Sequence, residues 1–454
     1  MATHARSSTV TMVRWKLRCF ALIFIPTTLI LFLITIATPP DLPNLVLESG
    51  LDCNLVFAGN QVAATEAKRI QVSNISVNYQ EVFKSCASVR SYLKLATRPN
   101  TIEEANYPIA YVLVLQRNIG QILNLLSAVY WPQNLYCITY DRKSSSQFQN
   151  YLVALKNCYQ NIIMPNKHEK IYWGHISLLQ AALNCLRSLN LHSNPWKYTQ
   201  ILSWNDVPLK TNFELVRIFK ILNGANDVEL SLGQSNRYLY PHYFVAKGIA
   251  APKAFLNSSR FSGMSSVSGN FYIDRFVTQR PPHNLTIYKG SFASTFSRPA
   301  ADFILTDEKA KDLLKFLELT LAPEEHFWST LVHNDALGMP GSFPGRCIHH
   351  YNHSRKFKIQ ISRFDVWDRR HCGGKWKHHS CVFGVADLPK LLNQPHLVAH
   401  KFYEEFEPVA LKCLHALLNR NTVKARTGRL KFNSKFYQSM QSVLNQNSKG
   451  RFSC

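Results

Sequence analysis

Two adjacent carboxylates stand beside aromatic residues in the segment APEEHFWST, which runs from Ala322 to Thr330. The chain has only 28 acidic side chains against 52 Lys and Arg, so an acidic pair in this setting invites a chemical explanation. Apolar neighbours raise the pKa of a carboxyl group toward neutrality, which suits a general base that deprotonates an alcohol. Alternatively, Glu324 and Glu325 merely begin a helix after Pro323, because proline and acids favour a first turn.

Basic side chains offer a way to bind phosphate without a metal ion. Lys401 lies in VAHKFYEEF, and Lys375, Lys377 and His378 cluster nearby in sequence. The chain contains no Asp-x-Asp pair, and the histidines near residue 350 lack an acid or cysteine to complete zinc ligation. We therefore expect no metal or other cofactor and predict that protein cations bind a diphosphate. Any one of these cations could equally be exposed surface.

Other common catalytic motifs are missing. The sequence has no GxGxxG, Walker loop, GxSxG, CxxC pair or HExxH. Dinucleotide-binding, phosphoryl-transfer, serine-hydrolase and zinc-protease functions therefore lose their usual support.

The N-terminal region predicts a membrane anchor. Residues 19–38 carry no charge, and a helix of that length spans about 30 Å of hydrocarbon. Basic residues precede this segment and acidic residues follow it, so the positive-inside rule places residues 1–18 in the cytosol and the rest in a lumen. A cleaved signal peptide is the alternative, although its apolar region would be shorter.

Cysteines, glycosylation sequons and charge agree with a lumenal location. The chain has 11 cysteines, which suit an oxidising compartment. The N-glycosylation sequons lie at Asn74, Asn257, Asn284 and Asn352. A net charge of +24 would suit nucleic acid in a nuclear protein. Behind a membrane anchor it suits anionic nucleotides, acidic glycans or lipid head groups, so we expect no nucleic-acid partner.

The hydrophobic pattern predicts a doubly wound α/β sheet. Residues 39–106 are expected to form a stem and lead-in, 107–420 a catalytic domain, and 421–454 a solvated basic extension. Strand-like and helix-like runs alternate at 107–115, 119–129, 134–140, 162–164, 176–189, 198–204 and 212–222. A helix opened by residues 144–146 is expected after the run at 134–140, and a further helix is expected at 308–319. Ligands of such sheets bind beyond the carboxyl ends of the strands, which nominates Asp141 and Asp206. Either aspartate could instead cap the following helix or turn.

An ordered set of motifs then adds a family resemblance. These motifs are LYCITYDRKSSSQF, LLQAALNCL, WKYTQIL, NDVPLKTNFELV, LNGANDVE, YKGS, APEEHFWST, SCVFGVADL and HKF. Together, over roughly residues 53–418, they resemble the core-2/I-branching β-1,6-N-acetylglucosaminyltransferases, glycosyltransferase family 14. The resemblance implies a type II Golgi membrane enzyme with a GT-A-like α/β fold. Such an enzyme transfers GlcNAc from UDP-GlcNAc to an O-glycan hydroxyl, with inversion and without a metal.

The resemblance also assigns the reaction centre and the donor site. Glu325 matches the catalytic base of the family, and Glu324 becomes a supporting or capping acid. Val114, Asp141 and Trp173 match the uridine pocket, with Trp173 where the family usually has tyrosine.

The diphosphate and acceptor sites show the clearest departures from the family. Lys401 matches the lysine that binds the diphosphate, whereas His378 occupies the position of the family's arginine and offers no bidentate fork. On the acceptor side, Glu229 and Arg237 match galactose-binding residues, and Tyr240 stands where another arginine is expected. Trp367 is the candidate for the tryptophan that packs on the acceptor sugar.

Cysteine pairing is likewise implied by the resemblance. The implied bridges are Cys53–Cys413, Cys86–Cys158, Cys137–Cys185 and Cys372–Cys381. Cys347 and Cys454 are additional, and they either pair with each other or link two chains into a homodimer.

Two other functions remain open at the level of sequence. The same fold could use another donor, such as UDP-glucose or UDP-xylose, because no identified residue selects the N-acetyl group. A catalytically silent, membrane-anchored glycan-binding protein is the other alternative, suggested by His378 and Tyr240.

Overall fold

The computed structural model describes residues 43–70, 77–233, 264–267, 270–273, 280–351, 360–448 and 451–454. Several predictions fall outside these ranges: the cytoplasmic segment 1–18, the anchor 19–38, the sequons at Asn74, Asn257 and Asn352, and the acceptor residue Arg237. Within the described ranges, no helix combines the length and the apolar character needed to cross a membrane. Residues 44–454 form one compact unit.

Short helices precede the first strand of the main sheet. They are α1 (Cys53–Phe57), α2 (Gln61–Arg69), α3 (Tyr79–Val82), α4 (Cys86–Leu93) and α5 (Ile102–Ala105). Each begins after a polar side chain that accepts a hydrogen bond from a first-turn amide, namely Asp52, Asn60, Asn78, Ser85 and Thr101. Such caps satisfy backbone donors that a short helix cannot pair internally.

These helices lie in the segment 39–106 that was predicted to form a stem and lead-in, and its described part packs against the end of the chain. Leu45, Leu51 and Val56 are buried in one hydrophobic core with Val409 and Leu414 from near the end of the chain. The disulfide Cys53–Cys413 joins the same two regions. The lead-in is therefore part of the folded unit from residue 44 onward, because its apolar side chains are buried against the C-terminal helix.

The chain then alternates strands with helices, as the hydrophobic pattern predicted except for two short strands at 206–208 and 231–232. In order these are β1 (Ile109–Leu115), α6 (Ile119–Val129), β2 (Leu135–Tyr140), α7 (Ser146–Cys158), β3 (Ile162–Ile163), α8 (Ile176–Leu191), β4 (Tyr198–Ser203), β5 (Asp206–Pro208), α9 (Asn212–Leu222) and β6 (Ser231–Leu232). Helix α9 has the predicted bounds because Thr211 and Glu214 form a reciprocal capping box at its start.

The second half contains short strands between helices. They are β7 (Met264–Val267), β8 (Asn270–Ile273), β9 (Tyr288–Lys289), β10 (Thr295–Ser297), α10 (Arg298–Thr306), α11 (Glu308–Phe316), α12 (Glu324–His333), α13 (Ile348–Tyr351), β11 (Arg363–Asp365), β12 (Lys375–Lys377), β13 (Ser380–Val382), α14 (Leu388–Leu392), β14 (Val398–His400), α15 (Pro408–Arg426), α16 (Lys435–Gln438) and α17 (Gln441–Asn447). The helix expected at 308–319 ends as an α-helix at Phe316 and continues as a 3-10 turn, Leu317–Leu319.

The main sheet has the strand order β10-β4-β1-β2-β3, with β10 antiparallel to β4 and the other neighbours parallel. Every residue of β1 is buried, as expected of a central parallel strand that is covered on both faces. Ile109, Tyr111 and Leu113 lie in one core with α6, α7 and α9. Ala110 and Val112 lie in a second core with α8, α10, α11 and α12. The α/β prediction is thus confirmed at the level of a parallel sheet between helices.

A second, small sheet joins distant parts of the chain. Its order is β11-β14-β5, with β14 parallel to β11 and antiparallel to β5. Asp365, His400 and Asp206 are opposite one another across its three strands. This sheet therefore brings residues from beyond position 360 to the carboxyl end of β4.

The expectation of a solvated extension over 421–454 is wrong for the described part of that segment. Tyr437, Met440 and Val443 are buried in the core under α9. Helix α15 continues to Arg426, and Cys454 forms a disulfide with Cys347. The sequence pattern missed this because only a few apolar residues on two short helices make the contact.

Candidate active site

The acidic pair lies in the first turn of helix α12, directly after Pro323. This is the helix start that the alternative explanation of Glu324 and Glu325 predicted. The two carboxylates nevertheless have different environments. Glu324 is 6% exposed, whereas the side chain of Glu325 is 30% exposed. The aromatic neighbours Phe327 and Trp328 are buried in the core against the sheet and leave Glu325 in a polar setting. Glu325 is therefore the member of the pair that a substrate can reach.

The partner of Glu325 is Lys289, which the sequence analysis did not select. Lys289 Nζ lies 3.2 Å from Glu325 Oε2. The amide of Gly290 also donates to the backbone oxygen of Glu325 at 2.6 Å. Lys289 was present in the YKGS motif, but a single lysine between a tyrosine and a glycine has no chemical signature before the fold places it.

Glu229 belongs to the same charged group. The pKa of Glu229 is raised, mainly because the side chain is buried. The cations Lys289 and Arg363 act to lower this pKa, whereas the carboxylates Asp365 and Glu325 raise it further. Its backbone oxygen accepts a hydrogen bond from Ser329 Oγ of α12 at 2.8 Å. The predicted acceptor residue and the predicted base therefore lie together, although nearly a hundred positions separate them in sequence.

Arg363 of β11 also acts on Glu229, and the sequence analysis did not select it. Its Nε donates to Asp365 at 3.1 Å and its Nη2 donates to Ser291 Oγ at 2.9 Å. Burial acts to lower the pKa of Arg363, but Asp365, Asp206 and Glu229 outweigh burial, so the pKa is raised. Arg363 is thus a buried, fully charged centre between the small sheet and Glu229.

The donor-side residues lie at the carboxyl edge of the main sheet. Val114 is 7% exposed and lies on β1 between β2 and β4. Asp141 follows β2 directly and is 3% exposed. It accepts hydrogen bonds from Lys143 N at 2.9 Å, Lys143 Nζ at 2.7 Å and Ile171 N at 3.2 Å. Asp141 therefore caps a turn, as its alternative predicted, and also binds the segment that carries Trp173.

Trp173 is strongly exposed, with 82% of its surface accessible. Its neighbour Gly174 accepts a hydrogen bond from the amide of Ala322 at 2.8 Å. Since Ala322 lies just before α12, the Trp173 segment is connected to the helix that carries Glu325. An exposed indole at this edge can stack on a planar ring.

Asp206 pairs with a histidine that the sequence analysis also did not select. Asp206 is buried, accepts a hydrogen bond from Ser203 N at 2.7 Å, and lies 2.7 Å from His400 Nδ1. Asp206 therefore caps a turn, as its alternative predicted, and it also contacts His400 of β14.

The predicted phosphate-binding cations come together around a hairpin. Lys401 follows β14, is 5% exposed, and donates from Nζ to the backbone oxygen of Lys377 at 2.8 Å. Burial lowers the pKa of Lys401, and the neighbouring cations Lys377 and Arg363 lower it further. A buried ammonium beside other cations gains stability when an anion arrives.

His378 occupies the tip of this hairpin rather than its interior. His378 and His379 form the turn between β12 and β13, with φ values of 50° and 58°. Both side chains are exposed, and the hairpin is closed by Cys372–Cys381. The structure therefore brings the backbone of Lys377 into contact with Lys401 and leaves the side chain of His378 exposed to solvent.

The remaining acceptor candidate, Trp367, is 63% exposed two residues beyond Asp365. Its neighbour Val366 accepts a hydrogen bond from Cys381 N at 3.0 Å, which fixes the segment to the hairpin. Trp367 therefore lies on a segment anchored beside the cations, with its indole open to solvent.

The covalent framework agrees with the four implied disulfides, all of which are present. Cys347 and Cys454 form a further bridge within the chain, with Cα atoms 5.1 Å apart, so these cysteines do not link two chains. Asn284 lies on an exposed turn that is accessible to glycosylation. Among the described residues, no group of three His, Cys, Asp or Glu side chains could hold a metal ion.

Comparison of the sequence with known proteins identifies related enzymes. A mouse N-acetyllactosaminide β-1,6-N-acetylglucosaminyl-transferase is 33% identical over 344 residues, which cover 75% of this chain and 79% of the mouse protein. A rat β-1,3-galactosyl-O-glycosyl-glycoprotein β-1,6-N-acetylglucosaminyltransferase 3 is 31% identical over 398 residues, covering 83% of this chain and 84% of the rat protein. The model of the Core-2/I-Branching enzyme family matches residues 109–392. The chain therefore belongs to the core-2/I-branching enzyme family.

Proposed function

We propose that the chain is a β-1,6-N-acetylglucosaminyltransferase that transfers GlcNAc from UDP-GlcNAc to a branching 6-hydroxyl of an O-glycan. The family and the names of the relatives support the reaction class. The observation that carries the site assignment is the position of Glu325. It is partly exposed beside Glu229 and Lys289, on a helix whose start is hydrogen-bonded to the Trp173 segment.

In the proposed step, Glu325 accepts the proton of the acceptor hydroxyl. The hydroxyl oxygen forms a bond to the anomeric carbon, the bond from that carbon to the phosphate oxygen breaks, and UDP leaves with the electron pair. Attack from the face opposite UDP inverts the configuration and gives a β-linkage. A positioned base of this kind contributes about a hundredfold or more to the rate.

Lys401 and Lys377 are proposed to bind the departing diphosphate, where cations stabilise the charge that develops. Asp141 and Val114 are proposed to contact the uridine, and Trp173 to stack on the base. His378 adds a cation at the hairpin tip only when it is protonated. Glu229, Arg237 and Trp367 are proposed to bind the acceptor glycan.

The cellular setting is proposed with the same function. We propose a single-pass type II protein of the Golgi membrane, anchored by residues 19–38 with its GT-A-like catalytic domain in the lumen. The disulfides suit that oxidising compartment. Catalysis is proposed to need no metal ion.

The test uses the purified full-length chain with a core-1 O-glycan or N-acetyllactosamine as acceptor and UDP-GlcNAc, UDP-glucose or UDP-xylose as donor, with and without EDTA. We expect a β-1,6 GlcNAc product that forms despite chelation. A product only from another donor would replace the donor assignment. Loss of transfer with EDTA would contradict metal independence. Absence of UDP release with every donor would favour the glycan-binding alternative.

The base is tested in the same assay by Glu325→Gln. We expect transfer to fall about a hundredfold or more, because the amide cannot accept the proton. Glu308→Gln is the control, since Glu308 is 81% exposed and lies on α11. Full activity of a folded Glu325→Gln protein would show that another group removes the proton.

A further inference from the structure

We propose that Lys289 is a positioning residue for transfer, which holds the base Glu325 and the acceptor-side carboxylate Glu229 around one ammonium group. This inference rests on the function proposed above. It adds a residue that touches neither UDP nor the reacting atoms and acts through the two carboxylates.

The backbone of Lys289 is fixed from two directions. Its carbonyl oxygen accepts hydrogen bonds from Ser231 Oγ at 2.8 Å and from Ser329 Oγ of α12 at 3.2 Å. The next residue, Gly290, donates its amide to the backbone oxygen of Glu325 at 2.6 Å. Lys289 thus belongs to a short strand that is tied both to the segment after Glu229 and to the base helix.

Gly290 makes this close approach possible. A Cβ atom at this position would lie 2.5 Å from the backbone oxygen of Glu229 and 3.1 Å from Ser329 Cβ. A side chain there would therefore push β9 away from its neighbours. The ammonium of Lys289 reaches Glu325 from a backbone that has little freedom to move.

The charges around Lys289 explain why one cation matters. Glu325 and Glu229 act on each other as like charges, and Lys289 attracts both. Arg363 also acts on Glu229, but it is engaged with Asp365 in a pair whose side chains are only 8% and 10% exposed. Of these two described cations, Lys289 is the more exposed, with 25% of its side chain accessible.

Removing that cation has two consequences for the reaction. The carboxylate of Glu325 loses the contact that orients it toward the acceptor. The two carboxylates are also left facing each other, and close carboxylates bind a proton more readily than an isolated one. A protonated base cannot accept the proton of the acceptor hydroxyl.

The experiment measures kcat and the acceptor KM of the full-length chain from about pH 5 to about pH 8, which covers the range of a carboxylate base. The variants are Lys289→Met and Lys289→Arg. The control is Lys311→Met, because Lys311 also pairs with a glutamate, at 2.6 Å, but with 52% of its side chain exposed on α11. UDP binding is measured by calorimetry for each protein.

For Lys289→Met we expect kcat to fall about tenfold or more and the acceptor KM to rise. The acid limb of the pH–rate profile should move to higher pH, while UDP affinity stays that of the wild type. Lys289→Arg should recover most of kcat, and the acid limb of its pH–rate profile should lie at the wild-type pH. A purely structural role would not move the pH profile in this way.

The inference is overturned if Lys289→Met keeps the kcat, acceptor KM and pH profile of the control while Glu325→Gln abolishes transfer. In that case the proposed function still stands. If the wild type transfers no sugar, the proposed function fails first. If Lys289→Met loses UDP binding and does not fold, Lys289→Gln replaces it, because the amide keeps a donor without the charge.

Discussion

The proposed donor side and the proposed acceptor side of the candidate site are built in different ways. The donor side comprises Asp141, Trp173 and Lys401, and it surrounds the carboxyl edge of the parallel sheet. The acceptor side comprises Glu229, Lys289, Glu325 and Arg363, which come from four separate segments. Backbone hydrogen bonds and a hairpin position the donor side. Pairs of opposite charge, one buried and one partly exposed, position the acceptor side.

The difference has consequences for mutation. A donor-side residue can be removed with effects confined to nucleotide binding, since its neighbours are held by strands. An acceptor-side residue shares its charge with several partners, and removal of one leaves the others uncompensated. The predictions below separate these two behaviours.

The largest effect is expected for Arg363→Met. Arg363 is enclosed by Asp365 and Ser291, so its loss leaves buried carboxylates without their cation. Breaking such a pair costs about 3–5 kcal/mol of unfolding free energy. Denaturant unfolding of the variant measures this cost. Arg370→Met is the control, because Arg370 pairs with Asp368 on the surface and should leave the unfolding midpoint unchanged. Equal midpoints for the two variants would contradict the special role of buried charge.

A pH-dependent loss of stability is expected on the acceptor side through His333. Burial lowers the pKa of His333 from 6.5 to about 4, although the carbonyls of Phe343 and Val228 raise it in part. Between these values the unfolded chain binds a proton that the folded chain does not. Stability is therefore lost as pH falls from 6.5 through about 4, by about 3 kcal/mol for this residue at 1.4 kcal/mol per pKa unit.

This linkage is checked by unfolding at several pH values in that window. His333→Gln should flatten the slope, whereas the exposed His371→Gln should not. The slope should remain in part, because His396 and His415 also have a pKa lowered to about 4 by burial. An unchanged slope in His333→Gln would mean that His333 is already charged in the fold.

On the donor side, Lys401→Met should lower kcat/KM about a hundredfold, because a preorganised charge at the leaving group is lost. Lys401 is buried against the Lys377 carbonyl. The UDP affinity from calorimetry should fall as well, while the acceptor KM changes little. Lys315→Met on the exposed face of α11 serves as the control. A variant with normal UDP affinity would remove Lys401 from the donor site.

The smallest effect is expected for Trp173→Ala. Trp173 is 82% exposed and contributes little to the core. Loss of stacking on the uracil ring should weaken UDP binding about tenfold, since such contacts contribute about 1–3 kcal/mol. Trp173→Tyr should restore the affinity, and the unfolding midpoint should be the same for all three proteins. Unchanged UDP affinity in Trp173→Ala would place the nucleotide elsewhere.

The sequence predicted four of the five strands of the main sheet closely and missed the short strand β10. The alternation from β1 to α9 was visible because continuous apolar strands and amphipathic helices leave strong periodic patterns. The predicted bounds of α9 are confirmed, and Thr211 and Glu214 cap its start locally. Asp141 and Glu325 were selected from strand ends and local composition, and both lie at the site.

The sequence did not predict the contacts that assemble the acceptor side. Lys289 and His400 carry no recognisable spacing, since their partners Glu325 and Asp206 lie on other elements. Arg363 pairs with Asp365 on its own strand, but only the fold brings it close to Glu229. The hairpin position of His378 and the buried C-terminal helices were missed for a similar reason. Short elements have too few residues to show periodicity.

By itself, the sequence determined the class of fold, the family motifs, and the acidic residue at the start of α12. These depend on residues near one another in the chain, where hydrophobic periodicity and capping act. Only the tertiary structure decided which of Glu324 and Glu325 is reachable, that Lys289 faces Glu325, and that Cys347 pairs with Cys454. Burial and charge pairing depend on distances through space, and those distances exist only after the sheet and its loops have formed.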